Sequence, residues 1–227
     1  MSANVAPRWT DRTLGTSGPG FENSGSVSEP ARGLFRVWST PFSAPMLFPE
    51  NINFDFDLDN YPLTAAARAS IEAWNQVTHN PTLNCAAKGM PTIMEQPFPM
   101  EFVAQGDVVV LRLEEYDLVR RIHMDAASTP AGEPPTPLGL SIGHWEDRTL
   151  VVSTDGINWP HFDTVGVPLS EVARIVERFT PSADGDRLDY EMIVTDTGTF
   201  TEPVTLGKHW VWIPGVEVGV YDCVVDG

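Results

Sequence analysis

The sequence predicts a mainly β fold, an antiparallel meander that closes as a barrel or packs as a sandwich, on three observations. From Met100 onward apolar residues recur at every second position in short runs such as "MEFVAQ", "DVVVLRLEE", "LGLSIGHWE", "TLVVSTD" and "RLDYEMIVTD". Turn chemistry at Gly106-Asp107 and in "ADGD" separates these runs at hairpin spacing. Twenty Pro and eighteen Gly in 227 residues favour turns and short elements over long helices.

A chain of this length needs only one domain. Residues 1–32, rich in Gly, Ser and Pro and without a period, read as an extended N-terminal arm, and residues 33–227 as a single β domain. "GLFRVWS" is the first strand candidate. "NFDFDLDN" alternates Phe54, Phe56 and Leu58 with Asp55, Asp57 and Asp59. It lacks the Gly and closing Glu of an EF-hand loop, so it reads as a half-buried edge. One helix is expected near 63–78, where Thr64 can cap "PLTAAARASIEAWNQV". There Leu63, Ala67, Ile71, Trp74 and Val77 share a face, and Asn80-Pro81 follows. Residues 128–137 form a Pro-rich loop. "SEVARIVERF" fits helix or strand, with strand favoured, and "KHWVWI" and "GVYDCVV" read as the last strands.

The formal charge of −17, from 31 acidic and 14 basic residues, repels phosphate backbones and anionic membrane surfaces. Nucleic acid and membrane are therefore not expected partners; a small hydrophobic or aromatic ligand is, and a homo-oligomer stays open. The N-terminus shows no basic leader followed by an apolar run, and no stretch approaches a membrane span, so a cytoplasmic protein is expected. Cys85 and Cys223 read most simply as free thiols, with one bridge tying down the C-terminus as the alternative. Lys88 and Lys208, the only lysines, read as solvated surface groups.

Together "PLTAAARASIEAWN", "NPTLNCAAKGMPTIMEQPFPMEF", "LGLSIGHWEDRTLVVSTDGINWPHFD", "VERFTPSADGDRLDYEMIVTDTGTFTEPVTLGKHWVW" and "VYDC" resemble a large family of uncharacterised bacterial proteins, common in proteobacteria and acidobacteria, with "GMP", "GxWE", "LVV" and "ERF" as landmarks. Many of its members are exported. Gly33 and Trp38 also resemble the Gly and Trp of the first strand of lipocalin-like (calycin) barrels, at wider spacing. That resemblance implies a lipocalin-like β-barrel with an interior ligand cavity, here with one α-helix in the N-terminal half.

Strand alternation divides residues 115–125 into two faces. Tyr116, Leu118, Arg120, Ile122 and Met124 form the more apolar one, which the simplest barrel turns inward, making Tyr116 and Arg120 substrate-binding candidates. Arg121, His123 and Asp125 lie on the other, where His123 could be a general base oriented by Asp125, with Arg121 holding an anionic oxygen. His144 beside Glu146 offers further acid–base chemistry, with Trp145 as an aromatic anchor. Trp159 sits with His161, Phe162 and Asp163 in a loop, where functional residues concentrate. Lys208 and Trp210 share a face with Trp212, a clamp for a phenolate or carboxylate. Glu177 and Arg178 point to opposite faces and cannot pair within their strand.

No HxH, HExxH, CxxC, GxSxG or phosphate-cradling Gly-rich loop is present, so neither metal nor other cofactor is expected. The expected function is a cofactor-independent lyase or isomerase working by acid–base chemistry on a small hydrophobic, aromatic substrate. A lignin-derived phenylpropanoid dimer losing formaldehyde is one instance, since a deprotonated phenol can serve as electron sink. The alternative is a non-catalytic lipocalin-like small-molecule carrier or an interaction protein.

Overall fold

The computed structural model describes residues 33–41, 61–126 and 134–224. The arm, the acidic alternation of 53–60 and residues 128–133 of the Pro-rich loop lie outside them. Among the described residues nine strands close into a barrel: β1 Val37–Ser39, β2 Met100–Gln105, β3 Val108–Leu113, β4 Leu118–His123, β5 Leu140–Glu146, β6 Thr149–Asp155, β7 Arg174–Pro181, β8 Arg187–Thr195 and β9 Val204–Trp212. Each strand bonds the next and β9 returns to β1, so the period-two pattern becomes a closed sheet without a free edge.

Every pairing is antiparallel except β4 with β5, which run parallel at Ile122↔Ser141 and His123↔Ile142. The long connection 124–139 allows this, because parallel neighbours need a crossover rather than a tight turn. Gly143 makes the close approach possible: a Cβ there would lie 2.7 Å from Ile122 Cγ2.

Alternate residues of each strand fill the interior. Phe102, Leu111, Ile122, Leu150, Val152, Ile175, Phe179, Leu188, Met192 and Trp210 are all buried in one cluster. At roughly 1.5–3 kcal/mol for each large apolar side chain removed from water, this packed interior is the main source of stability.

The expected single helix is two, α1 Ala65–Glu72 and α2 Gln76–His79. Thr64 caps α1 through its Oγ1, which accepts from Ala67 N at 3.1 Å. Asn75 breaks the run, because its Oδ1 accepts from Val77 N and Thr78 N and starts a second helix. "SEVARIVERF" resolves as strand from Arg174, and "YDLVRRIHMD" becomes strand only at Leu118. Before Leu118 a 3-10 turn spans Glu115–Asp117, with Tyr116 and Asp117 at φ 60° and 52°.

"GVYDCVV" is not a strand in its described part. Residues 213–224 run as a strap, with Gly219 N donating to Glu114 Oε2 (2.8 Å) and Tyr221 N to Asp117 Oδ1 (3.0 Å). The Tyr221 ring meets Phe98 and Tyr116 at 5.4 and 5.0 Å. The strap ends in a Cys85–Cys223 disulfide, so the two cysteines are not free thiols. No helix among the described residues is long and apolar enough to cross a membrane.

Candidate active site

Two groups of polar side chains lie inside the barrel, and they differ in one respect. The first is closed. Arg120 on β4 reaches Ser141 Oγ on β5 (3.0 Å), Thr154 Oγ1 on β6 (2.7 Å) and, through both terminal nitrogens, the Glu177 carboxylate on β7. Tyr190 on β8 donates to the same carboxylate at 2.9 Å, and Ser141 and Thr154 bond each other. Burial opposes the Arg120 charge, but Glu177 outweighs it and holds the guanidinium above its ordinary value. Burial, reinforced by Glu177, keeps the Tyr190 hydroxyl protonated well above its usual range. A network in which each member has hydrogen-bond partners is a brace across the barrel.

The second group is open. A 3-10 turn, Thr92–Glu95, packs on the core with Thr92, Ile93 and Met94 buried. Thr92 anchors it, its hydroxyl donating to the His161 carbonyl and accepting from Trp159 Nε1, both at 3.0 Å. From β9, Lys208 Nζ donates to the Met94 carbonyl at 2.6 Å and sits 4.6 Å above the Trp210 ring. This brings Lys208 to the residue preceding Glu95, and each feels the other's charge. Lys88, paired with Glu115 at 2.9 Å, flanks them.

Burial drives both groups toward neutrality. The Glu95 carboxyl is pushed up to about 8, by burial first, with Asp163 and Glu115 adding to the rise and Lys88 and Lys208 opposing it. Burial likewise depresses the Lys208 amine to about 7; Lys88 acts in the same sense, and Glu95 and Glu115 oppose it. Glu95 Oε1, Gln96 Oε1, Asp163 Oδ2, Trp210 Nε1 and Thr40 Oγ1 are buried without a hydrogen-bond partner among the described residues. Asp163 spends its other oxygen on the backbone N–H groups of Val165, Gly166 and Val167. Buried polar atoms are nearly always paired, so these exceptions mark positions open to a partner beyond the described residues.

The sequence-predicted residues divide accordingly. Arg120 faces inward as the apolar-face argument has it, but as part of the brace. Tyr116 does not line the interior; its left-handed backbone in the 3-10 turn puts it against the strap. Arg121 and His123 lie on the outer face of β4, and Asp125 is exposed beyond it. His144 and Glu146 are exposed at the end of β5, 3.3 Å apart, and Glu146 also takes Arg178 at 2.7 Å. Trp145 packs edge-on against Phe35, and Trp159 secures the Thr92 turn. Lys208 and Trp210 are buried together, whereas Trp212 is 39% exposed beneath Arg36. Neither lysine is a solvated surface group. Glu177 and Arg178 part to opposite faces, toward Arg120 and Glu146 respectively.

Glu95 was not singled out by the sequence. Its one signal is an acid within the apolar, Pro-flanked run "GMPTIMEQPFP". An open groove of about 550 Å³ lies along β7–β9 among Arg178, Thr180, Arg187, Asp189, Glu191 and His209, and Tyr190 and Lys208 also contribute to its lining. Its Arg187 pairs with Asp189 and its Arg178 with Glu146, so ordinary surface ion pairing accounts for much of its charge. No three His, Cys, Asp or Glu side chains among the described residues are grouped to hold a metal ion. No protein-family model, curated protein or solved structure matches the chain.

Proposed function

We propose that the protein is a cofactor-independent lyase or isomerase that moves protons on a small hydrophobic, aromatic substrate beside the Thr92–Glu95 turn. The observation that carries this reading is the approach of Lys208 to the Thr92–Glu95 turn, where Glu95 Oε1 is buried without a partner among the described residues. Near neutral pH a protonated carboxyl and a partly deprotonated amine coexist there, the two states that general acid–base catalysis needs. Trp210 gives the site an aromatic wall, and its unpaired N–H with three unpaired acceptors suits a ring bearing hydroxyl or carbonyl groups. Elimination of formaldehyde from a phenylpropanoid dimer is one reaction of this kind. On location, the Cys85–Cys223 bond outweighs the cytoplasmic expectation and favours an oxidising compartment, because cytosolic thiols are kept reduced.

The test is a screen of hydroxylated aromatic compounds, scored for conversion by mass spectrometry and for binding by Trp fluorescence. Lys208→Met and Glu95→Gln are each expected to lower turnover by about a hundredfold or more, the usual scale of a lost acid or base. Binding without conversion across the library would replace the enzyme by a carrier.

A further inference from the structure

We infer that Lys208 is a nucleophile that forms an imine with an aromatic aldehyde or ketone, with Glu95 as the proton donor that expels water. This rests on the acid–base reading of the same site and names its substrate class as carbonyl compounds. Lysine amines become nucleophilic when an apolar enclosure strips their hydration. Lys208 lies inside the barrel with its Nζ over the Trp210 indole, oriented by the Met94 carbonyl, with Glu95 as the next residue along. Among the described residues Glu95, Glu115 and Lys88 bear on its charge, and Tyr190 is its cross-strand neighbour. Among the described residues Tyr190 is committed to Glu177 and Lys88 to Glu115, whereas Glu95 keeps one oxygen unbonded.

The step balances with no further reactant. The Lys208 lone pair forms the C–N bond as the carbonyl π pair moves to oxygen. The oxygen takes the Glu95 proton, and the resulting carboxylate removes one proton from nitrogen, giving a neutral carbinolamine and restoring the acid. Glu95 then protonates the hydroxyl, the C–O bond breaks, water leaves, and the nitrogen lone pair closes a C=N bond. The products are a protonated imine, its counter-ion the Glu95 carboxylate, and one water. The protonated imine draws electrons from the adjacent carbon, the sink needed for proton removal or bond cleavage next to a carbonyl.

Having only two lysines makes the test clean. The full-length protein, with its disulfide intact, is incubated with 4-hydroxybenzaldehyde or 4-hydroxyacetophenone and cyanoborohydride, then digested and mapped by mass spectrometry. One reduced adduct on Lys208 is expected, formed at least tenfold faster than on Lys88 and accelerating as pH rises through about 7. Glu95→Gln should slow trapping about tenfold or more while probe binding, followed by Trp fluorescence, is retained. Adducts on Lys88 or the N-terminal amine alone overturn the inference. Binding without trapping overturns it and leaves the acid–base reading standing, whereas absence of both binding and trapping overturns the two together. Because the map is made on the wild-type chain, a Lys208 variant that fails to fold does not obscure the outcome.

Discussion

Arg120 on β4 and Glu177 on β7 pair across the barrel interior, with side chains 1% and 0% exposed. A charge so enclosed is tolerable only while its partner is present, and Ser141, Thr154 and Tyr190 complete its bonding. Arg120→Met or Glu177→Leu alone should therefore lower the unfolding free energy by about 3–5 kcal/mol. The double substitution should lose markedly less than the sum, because neither charge is then stranded. Urea unfolding of the four proteins gives the coupling; additive losses would mean the pair is not a brace.

The sequence carried much of the barrel and little of the site. Alternation is a local signal, so it separated Glu177 from Arg178 and put Arg120 on the inward face without knowledge of any neighbour. The Thr92–Glu95 turn has no period to read, and Glu95 gains its character from burial in the folded barrel, against the opposing charges of Lys88 and of Lys208, 113 positions along the chain (208 − 95). The disulfide spans 138 residues and depends on a strap whose partners are side-chain carboxylates, which no strand pattern encodes. The helix divided because Asn75 competes for backbone N–H groups, a choice that the apolar spacing across 63–78 conceals. His123 reads from the sequence as a base oriented by Asp125, but the parity that buries Arg120 and Ile122 turns it outward.

That placement separates two mechanisms. His123→Ala and Arg121→Ala should leave turnover of any substrate found by the screen within about twofold of wild type, since substitutions outside special features usually change little. Lys208→Met should abolish it. Steady-state kcat/KM for the three variants decides the matter, and a large loss in His123→Ala would return the chemistry to the outer face of β4.

The strap predicts a redox-dependent stability. A bond closing a loop of 138 residues removes about 5 kcal/mol of unfolded-chain entropy on the loop-length relation, of which engineered and native bridges commonly deliver a part. Cys223→Ser should thus cost about 3 kcal/mol, with far-ultraviolet dichroism unchanged because the barrel strands do not include the strap. Reduced wild type should match the variant in urea unfolding. Equal stability of Cys223→Ser and oxidised wild type would show that the bridge adds nothing to the native barrel.

The inverted pair predicts how stability depends on pH. Glu95 has a folded-state value of about 8 against an ordinary 4.5, so its contribution is complete below pH 4.5 and is lost as pH climbs through 8. Lys208, at about 7 against 10.5, contributes fully above pH 10.5 and loses that contribution as pH falls through 7. Between pH 7 and 8 both losses are largely incurred, so the site is least favourable to the fold where it is best suited to proton transfer. Glu95→Gln removes the first loss. Its stability relative to wild type should be level below about pH 4.5, rise between there and pH 8, and plateau beyond. At about 1.4 kcal/mol per pH unit, offset in part by the attraction Lys208 forfeits, the gain should reach roughly 2 kcal/mol. Urea unfolding of both proteins at intervals across this range measures it. A difference that stays flat would mean that Glu95 ionises like an exposed carboxylate, and its part as proton donor would fall with that result.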